Sequence, residues 1–360
     1  MPPCVLNSDL FAQKLLRWYQ RHRRDLPWRQ TTNPYHIWLS EIILQQTRVA
    51  QGLPYYEAFV AAFPTVHDLA GADEREVLRL WQGLGYYSRA RNLHQTAKII
   101  VEQYQGQFPM SYQELLNLRG IGSYTAAAVA SFAFGERVAV LDGNVFRVLA
   151  RMFGIETDIT TTTAKKEFTQ LANRLISSGE PALYNHAIMD FGATQCVHVS
   201  PQCLFCPFAP ECEANATGRQ AVLPVKRKKA PIRERFFHYF VIQQGDRLLL
   251  RERTGRDVWQ GLYDFYLIEA DQRLDFDELV MNDFLLKLRP DSVLEGVSQE
   301  QLQLLSHQRI RARFWRLRIP PGVSFDLPAH ARMVTASEAD DLPKPLLIVN
   351  YLRDDLFKNQ

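Results

Sequence analysis

No stretch of this chain is apolar over a run long enough to cross a bilayer, which excludes a membrane-spanning helix and any membrane partner of that kind. Residues 1–11 lack the basic start and apolar run of a secretory leader, so a cytoplasmic, nucleoid-associated address is expected. Net charge is scarce as well. The 42 Lys and Arg against 39 Asp and Glu leave only +3, a field too weak to announce a nucleic-acid partner by itself. Any case for one must come from local motifs. Cysteine is rare, five residues in all, and in a reducing compartment these make poor disulfide material. Four of the five nevertheless crowd between Cys196 and Cys212, which points to metal instead.

What the chain does have is length and a change of character. At 360 residues it exceeds one ordinary domain, and 46% hydrophobic against 22% charged residues is the balance of a folded protein. The first two-thirds read as many short helices. Ser8 and Asp9 can cap a helix with Phe11, Leu15, Leu16, Trp18 and Tyr19 on its apolar positions. Pro34 can open a second helix through Ile37, Trp38, Ile42, Ile43 and Leu44. Further helical patterns cover Tyr55 to Ala62, Arg75 to Leu80, Arg91 to Tyr104 and Tyr124 to Phe134. The composition shifts near residue 213. A basic, proline-flanked stretch from Pro224 to Arg235, with Lys226, Arg227, Lys228 and Lys229, reads as an exposed linker. Beyond it, Phe236 to Ile242 and Arg247 to Arg251 read as strands joined at Gln244-Gly245-Asp246, with another strand from Phe314 to Ile319. The C-terminal third is therefore expected to be a separate α+β domain.

Three features carry chemistry. The first is the spacing Cys196-x6-Cys203-x2-Cys206-x5-Cys212, with Pro201, Pro207 and Pro210 turning the loops between. Four thiolates so arranged suit tetrahedral zinc or an iron–sulfur cluster. The second is Leu118-Arg119-Gly120-Ile121-Gly122 ahead of a helix near Ser123, with Ser111 and Glu114 as a capping box for the helix before it. Gly120 and Gly122 free backbone N–H groups to face a phosphate at a helix start, in a helix-hairpin-helix arrangement that grips a DNA backbone without reading its sequence. The third is a pair of acids. Glu41 lies among Ile37, Trp38 and Leu44, where burial would raise its pKa and suit it to general-acid work; a Glu paired with Arg48 or facing water is the plainer alternative. Asp142 follows Val138-Ala139-Val140-Leu141. It is either the N-cap of the next helix or an ionised carboxylate facing a cationic sugar, the second half of an N-glycosidic cleavage machine.

Together these motifs make the chain resemble the adenine DNA glycosylases of the MutY type, within the helix-hairpin-helix iron–sulfur superfamily that also holds endonuclease III. The resemblance rests on Leu26-Pro27-Trp28-Arg29, the run from Trp38 through Glu41 to Thr47, Gly83-Leu84-Gly85-Tyr86-Tyr87, Gly120 to Thr125, Leu141 to Val145 and the four cysteines. It covers most of residues 8–213. It implies an all-α glycosylase core with a [4Fe–4S] cluster on Cys196, Cys203, Cys206 and Cys212, and a monomer acting on duplex DNA with adenine opposite 8-oxoguanine or guanine. It implies that Glu41 protonates adenine N7, that Asp142 stabilises the sugar cation and that Asn144 supports that centre. Trp28 and Arg29 would line the adenine pocket, and Gln46 and Tyr86 would wedge into the duplex. The implied layout is a cluster domain of residues 1–28 and 141–213, a helical barrel of 29–140, a linker of 214–232 and a module of 233–360.

Further residues sharpen that expectation. Tyr124 stands where lyase relatives carry a lysine able to form a Schiff base, so base removal without strand cleavage is implied over an endonuclease III type glycosylase-lyase. A non-catalytic iron–sulfur damage-binding protein would lack one of the acids, and both are present. The C-terminal third resembles a Nudix-like module, through Leu248 to Arg253 and Trp259 to Tyr263, but without the glutamate-rich pyrophosphatase box. Recognition is thus implied in place of hydrolysis, with Ser306 and His307 in the loop that touches 8-oxoguanine. Leu305 there replaces a phenylalanine, and Arg119 replaces the usual hairpin proline.

Overall fold

The computed structural model describes residues 8–176, 179–227 and 232–356. Lys228 and Lys229 of the basic stretch lie outside the described residues, as do the first seven residues. The chain divides into two compact units. One comprises residues up to 71 together with 92–228, and the other comprises 72–91 with the chain from 229 onward. The region up to residue 217 is helical, and from residue 233 onward the chain forms a mixed β-sheet with some helices.

The helical region runs α1 (Ser8–His22), α2 (Pro34–Ile43), α3 (Val49–Ala62), α4 (Val66–Gly71), α5 (Glu74–Leu80), α6 (Ser88–Tyr104), α7 (Tyr112–Leu115), α8 (Ser123–Phe134), α9 (Gly143–Phe153), α10 (Thr162–Leu175), α11 (Pro181–Asp190) and α12 (Glu213–Thr217). Capping signals mark two helix starts, whereas α3 begins six residues before the expected Tyr55 and α6 three before Arg91. Asn33 caps α2 ahead of Pro34, and Ser111 with Glu114 forms a complete capping box on α7. The hydrophobic stripe of α1 is buried at Phe11, Leu15, Trp18 and Tyr19.

Two helices form the heart of the first unit. From Ile37 to Ile43 every residue of α2 is buried, including Ser40 and Glu41. It packs against α8, whose buried face is mostly alanine, from Ala126 to Ala130. Small side chains let two helix axes approach closely, and here the approach brings the start of α8 beside Glu41. The extended run before Asp142 is held just as firmly. Asn185 of α11, fully buried, accepts from the Val140 N–H at 3.1 Å and donates to the Val138 carbonyl at 2.9 Å and to the Ser131 hydroxyl at 3.0 Å. Asn173 accepts from the Ala139 N–H at 2.9 Å. Side chains here make the hydrogen bonds that a neighbouring strand would otherwise make.

The basic stretch is only partly an exposed linker. Leu223 is buried, and its carbonyl accepts from Arg151 at 3.1 Å, while the Val225 carbonyl accepts from Ile159 N–H at 3.1 Å. Arg235 is not linker at all. It lies in β1 (Arg233–Gln244), is 8% exposed, and is held by Asp257 and Glu269, partners too distant in sequence for a charge run to reveal.

The second unit is built on a mixed sheet of β1, β2 (Arg247–Glu252), β3 (Tyr263–Asp264), β4 (Tyr266–Ala270), β5 (Val293–Val297), β6 (Gln301–Leu304), β7 (Gln308–Ile319) and β8 (Ala331–Val334). β1 pairs in parallel with β7 along its whole length, from Arg233 opposite Gln308 to Gln244 opposite Ile319; the other pairings are antiparallel. One face packs Phe240, Ile242, Leu249 and Trp315 against Leu279, Leu285 and Leu288 from short helices.

Asn185→Leu should destabilise the helical unit by about 2 kcal/mol, because it strands the buried Val140 N–H and Val138 carbonyl without partners. Urea denaturation followed by far-UV circular dichroism measures this; an unmoved midpoint would show that those groups find other partners.

Candidate active site

Glu41 and Asp142 line a single cleft, with Tyr124, Asn144, Gln46 and Gly122. The two acids come from distant parts of the chain. α2 brings Glu41, which is 6% exposed and takes a hydrogen bond from the Tyr124 hydroxyl at 2.6 Å. Burial lifts the Glu41 carboxyl to about 7; the Tyr124 hydrogen bond opposes the rise, nearby Asp142 adds to it and Arg29 opposes it. A carboxyl in such surroundings holds a proton near neutrality. The Tyr124 phenol is pushed well above its ordinary value, first by burial and then by the Glu41 charge, so it stays a donor.

Asp142 fills the capping role open to it in the sequence, and its carboxylate also lines the cleft. Its Oδ1 caps α9 by accepting the Val145 N–H at 2.7 Å, and its Oδ2 accepts from the Asn144 amide at 2.8 Å. Burial pushes its pKa upward too, while the Val145 and Asn144 hydrogen bonds and the Arg147 charge pull it back. Asn144 is itself fixed, since Arg147 donates to its Oδ1 at 2.8 Å. Arg147 also donates to the carbonyls of Gly192 at 2.6 Å and Cys196 at 2.8 Å. The sequence singled out neither Arg147 nor Arg151, one turn further along α9. The signal was there in two arginines four residues apart on a strongly amphipathic helix.

Trp28 and Arg29 are not among the residues lining this cleft. Trp28 is buried with its ring edge-on to Tyr56, 5.1 Å between centroids. Arg29 forms a two-pronged pair with the fully buried Asp190 of α11, at 2.6 and 2.7 Å. Its charge still reaches Glu41. Asp190, which also accepts from Arg24 Nε at 2.7 Å, was another residue the sequence concealed.

At the hairpin, Gly120 has φ of 75°, where a side chain would be strained and a Cβ would meet Asn92 at 2.9 Å. Gly122 is the N-cap of α8, and a Cβ there would meet nothing within 4 Å, so the helix start is open to approach. Gln46 and Tyr86 share an unusual trait: both are non-glycine residues in the left-handed region, φ 57° and 50°. Tyr86 belongs to the second unit, where its hydroxyl meets the Ser306 hydroxyl. Ser306 and His307 are exposed in the turn between β6 and β7.

Cys196, Cys203, Cys206 and Cys212 line one cavity together with Arg151 and Gln220. Burial pushes the Cys206 thiol up to about 12, so a positively charged centre is needed to hold it as thiolate. Arg151 walls the cavity and points a guanidinium N–H at the Cys196 sulfur, 3.4 Å away, while donating to the Val197 carbonyl at 2.7 Å and the His198 carbonyl at 3.0 Å. The donor set fits a thiolate-held metal group.

Residues 39–174 match the family model described as HhH-GPD superfamily base excision DNA repair protein. The chain is 34% identical over 261 residues to the adenine DNA glycosylase of Buchnera aphidicola subsp. Acyrthosiphon pisum (strain APS), spanning 72% of this chain and 75% of that one. It is 41% identical over 228 residues to the Homo sapiens adenine DNA glycosylase, spanning 61% of this chain and 42% of the human protein. Among solved structures, a thermostable thymine-DNA glycosylase is similar at TM-score 0.55 and 30% identity, over 59% of this chain and 97% of that one. Endonuclease III in a non-covalent DNA complex shares the fold at TM-score 0.51 and 24% identity, over 59% of this chain and 99% of its own.

The raised Glu41 pKa carries a stability consequence. Below about pH 4.5 folded and unfolded states both hold the proton and nothing is lost. Between there and about 7 only the unfolded state ionises, so stability falls as pH rises, by about 3 kcal/mol in total. Glu41→Gln should therefore stabilise the fold at pH 8 and lose that advantage as pH falls toward 4.5. Denaturation midpoints across this range test it, and a gain independent of pH would contradict the buried, protonated carboxyl.

Proposed function

The chain belongs to the adenine DNA glycosylases, hydrolases of N-glycosyl bonds within the HhH-GPD superfamily of DNA repair, and from that premise we propose that it removes adenine mispaired with 8-oxoguanine or guanine by a two-carboxyl mechanism. The observation that carries this reading is one cleft holding two carboxyls in unlike surroundings: Glu41 lifted to about 7 against Tyr124, and Asp142 bound by an N–H and an amide. Adenine leaves poorly until protonated. Glu41 donates a proton to N7 of the flipped base, and Tyr124 orients the carboxyl for that transfer. As the glycosidic bond lengthens, positive charge grows on the sugar and ionised Asp142 faces it. Asn144, clamped by Arg147, keeps Asp142 aimed. Tyr124 supplies no amine, which supports base release without a Schiff base.

Cys196, Cys203, Cys206 and Cys212 would hold a [4Fe–4S] cluster. The four sulfurs share one cavity, which supports a group held by all four thiolates. When bound, such a group would cross-link the 196–212 loop. Gly120 and Gly122 are read as the phosphate grip, and Gln46 as a wedge into the duplex. The C-terminal mixed sheet supports a Nudix-like recognition module, in which Ser306, His307 and Tyr86 meet the 8-oxoguanine strand; the Tyr86–Ser306 contact supports that grouping.

The decisive measurement is single-turnover base release from duplexes carrying adenine opposite 8-oxoguanine, guanine or thymine. Glu41→Gln and Asp142→Asn should each keep duplex affinity and lose more than about a hundredfold in rate, the scale of general-acid and charge-stabilisation effects. Rates within about tenfold of wild type would remove Glu41 from the acid role. Wild-type turnover should fall as pH rises through about 7, where Glu41 surrenders its proton. Borohydride should trap no covalent enzyme–DNA species, and strong trapping would restore the glycosylase-lyase reading. The purified protein should be brown with iron bound; one zinc and no colour would overturn the cluster assignment.

A further inference from the structure

A polar pocket opens in the second unit at the ends of β1, β2 and β4 and the start of β7, beside the turn of Ser306 and His307, whose His307 carbonyl accepts from the N–H of the lining Arg233 at 3.2 Å. Its lining carries five arginines against three acids. The floor is a network of ion pairs in which Arg253 Nε and Asp264 Oδ1 are buried without a partner among the described residues. All five N–H groups of Arg235 are occupied: Nε and Nη2 by Glu269 at 2.7 and 2.6 Å, Nη1 and Nη2 by Asp257 at 2.9 and 3.2 Å, and Nη1 by Gln308 at 2.9 Å. Arg253 pairs with the same Asp257 and, at 2.7 Å, with buried Asp264. Glu252 accepts from the Tyr263 hydroxyl at 3.0 Å. The acids of the pocket are thus already engaged.

The rim differs. Arg233 and Arg256 are exposed, and neither side chain has an acid or hydrogen-bond partner among the described residues. Arg256 rides on the loop Thr254-Gly255-Arg256-Asp257, whose Asp257 anchors to the floor. The opposite wall carries His330, held at φ 61° while its carbonyl accepts from the Glu252 N–H at 3.0 Å. A bulky residue kept in that conformation reflects a wall the surroundings over-determine.

We propose that this pocket binds a phosphate group. The paired floor holds the rim in place, the buried Arg253 Nε is without a partner among the described residues, and the two exposed guanidiniums leave the mouth positive. Guanidinium forks match phosphate oxygens in geometry and charge, and the polar walls offer little to an apolar ligand. The phosphate could come from a duplex backbone or from a free nucleotide or pyrophosphate.

The test uses the full chain, with Arg233→Gln/Arg256→Gln compared against Arg289→Gln/Arg353→Gln, which removes equal charge elsewhere. Two quantities are read: affinity for undamaged duplex as a function of salt, and melting temperature with added inorganic pyrophosphate. If the source is DNA, the pocket variant binds on the order of tenfold more weakly, and its salt dependence drops by about 0.9 for each lost phosphate contact, while the control changes little. If the source is a free anion, duplex binding is unaffected. Pyrophosphate then raises the melting temperature of wild type and control but not of the pocket variant. If neither measurement separates the pocket variant from the control, the proposal is overturned. Neither readout depends on base release, so the result stands apart from the glycosylase mechanism.

Discussion

A carboxyl group buried between two helices governs the first unit. Leaving Glu41 unhydrated is unfavourable unless something meets it, and the Tyr124 hydroxyl does so. That meeting needs the axes of α2 and α8 to be close, which the alanines of α8 allow. It also needs the run from Val138 to Asp142 to pass at a fixed height, which Asn173 and Asn185 enforce through its backbone. Replace any of these by a larger or non-bonding residue and the carboxyl is either hydrated or stranded. The packing of this unit is therefore inseparable from the proton affinity of one side chain.

Local signals were legible and tertiary ones were not. Helix starts at Pro34 and Ser111, the cysteine grouping and the hairpin glycine at 120 each depend on a few neighbouring residues, and the structure places them as read. Burial of Glu41 was legible because α2 is apolar on most of its faces. Arg29 was harder. Its fork is taken by Asp190, 161 positions away, and nothing near Arg29 advertises this. Arg235 shows the same limit, since a basic run looks identical whether it is solvated or its last member turns into a sheet. Segment 72–91 reads as ordinary helix and turn, and only long-range contacts such as Lys344 N–H to the Gln82 side chain at 2.8 Å group it with the second unit.

Backbone strain adds a different kind of information. Gln46 and Tyr86 hold left-handed conformations that glycine would adopt freely. Gln105, Ser200 and His330 hold the same conformation, so the strain marks well-determined turns and assigns no role by itself.

The parallel pairing of β1 with β7 has a consequence for how the chain emerges from the ribosome. Residues 233–244 cannot find their partner until residues 308–319 have been synthesised. During that interval β1, apolar from Phe237 to Ile242 except at His238, is a nascent strand with unpaired N–H and C=O groups on one side at least. Non-local parallel pairing also closes slowly. Translation thus leaves a sticky strand waiting for a late arrival. Pauses placed between codons 244 and 308, or a shortage of holdase chaperones, would lower yield through the second unit while the helical unit, whose last residues precede β1, has all it needs to fold.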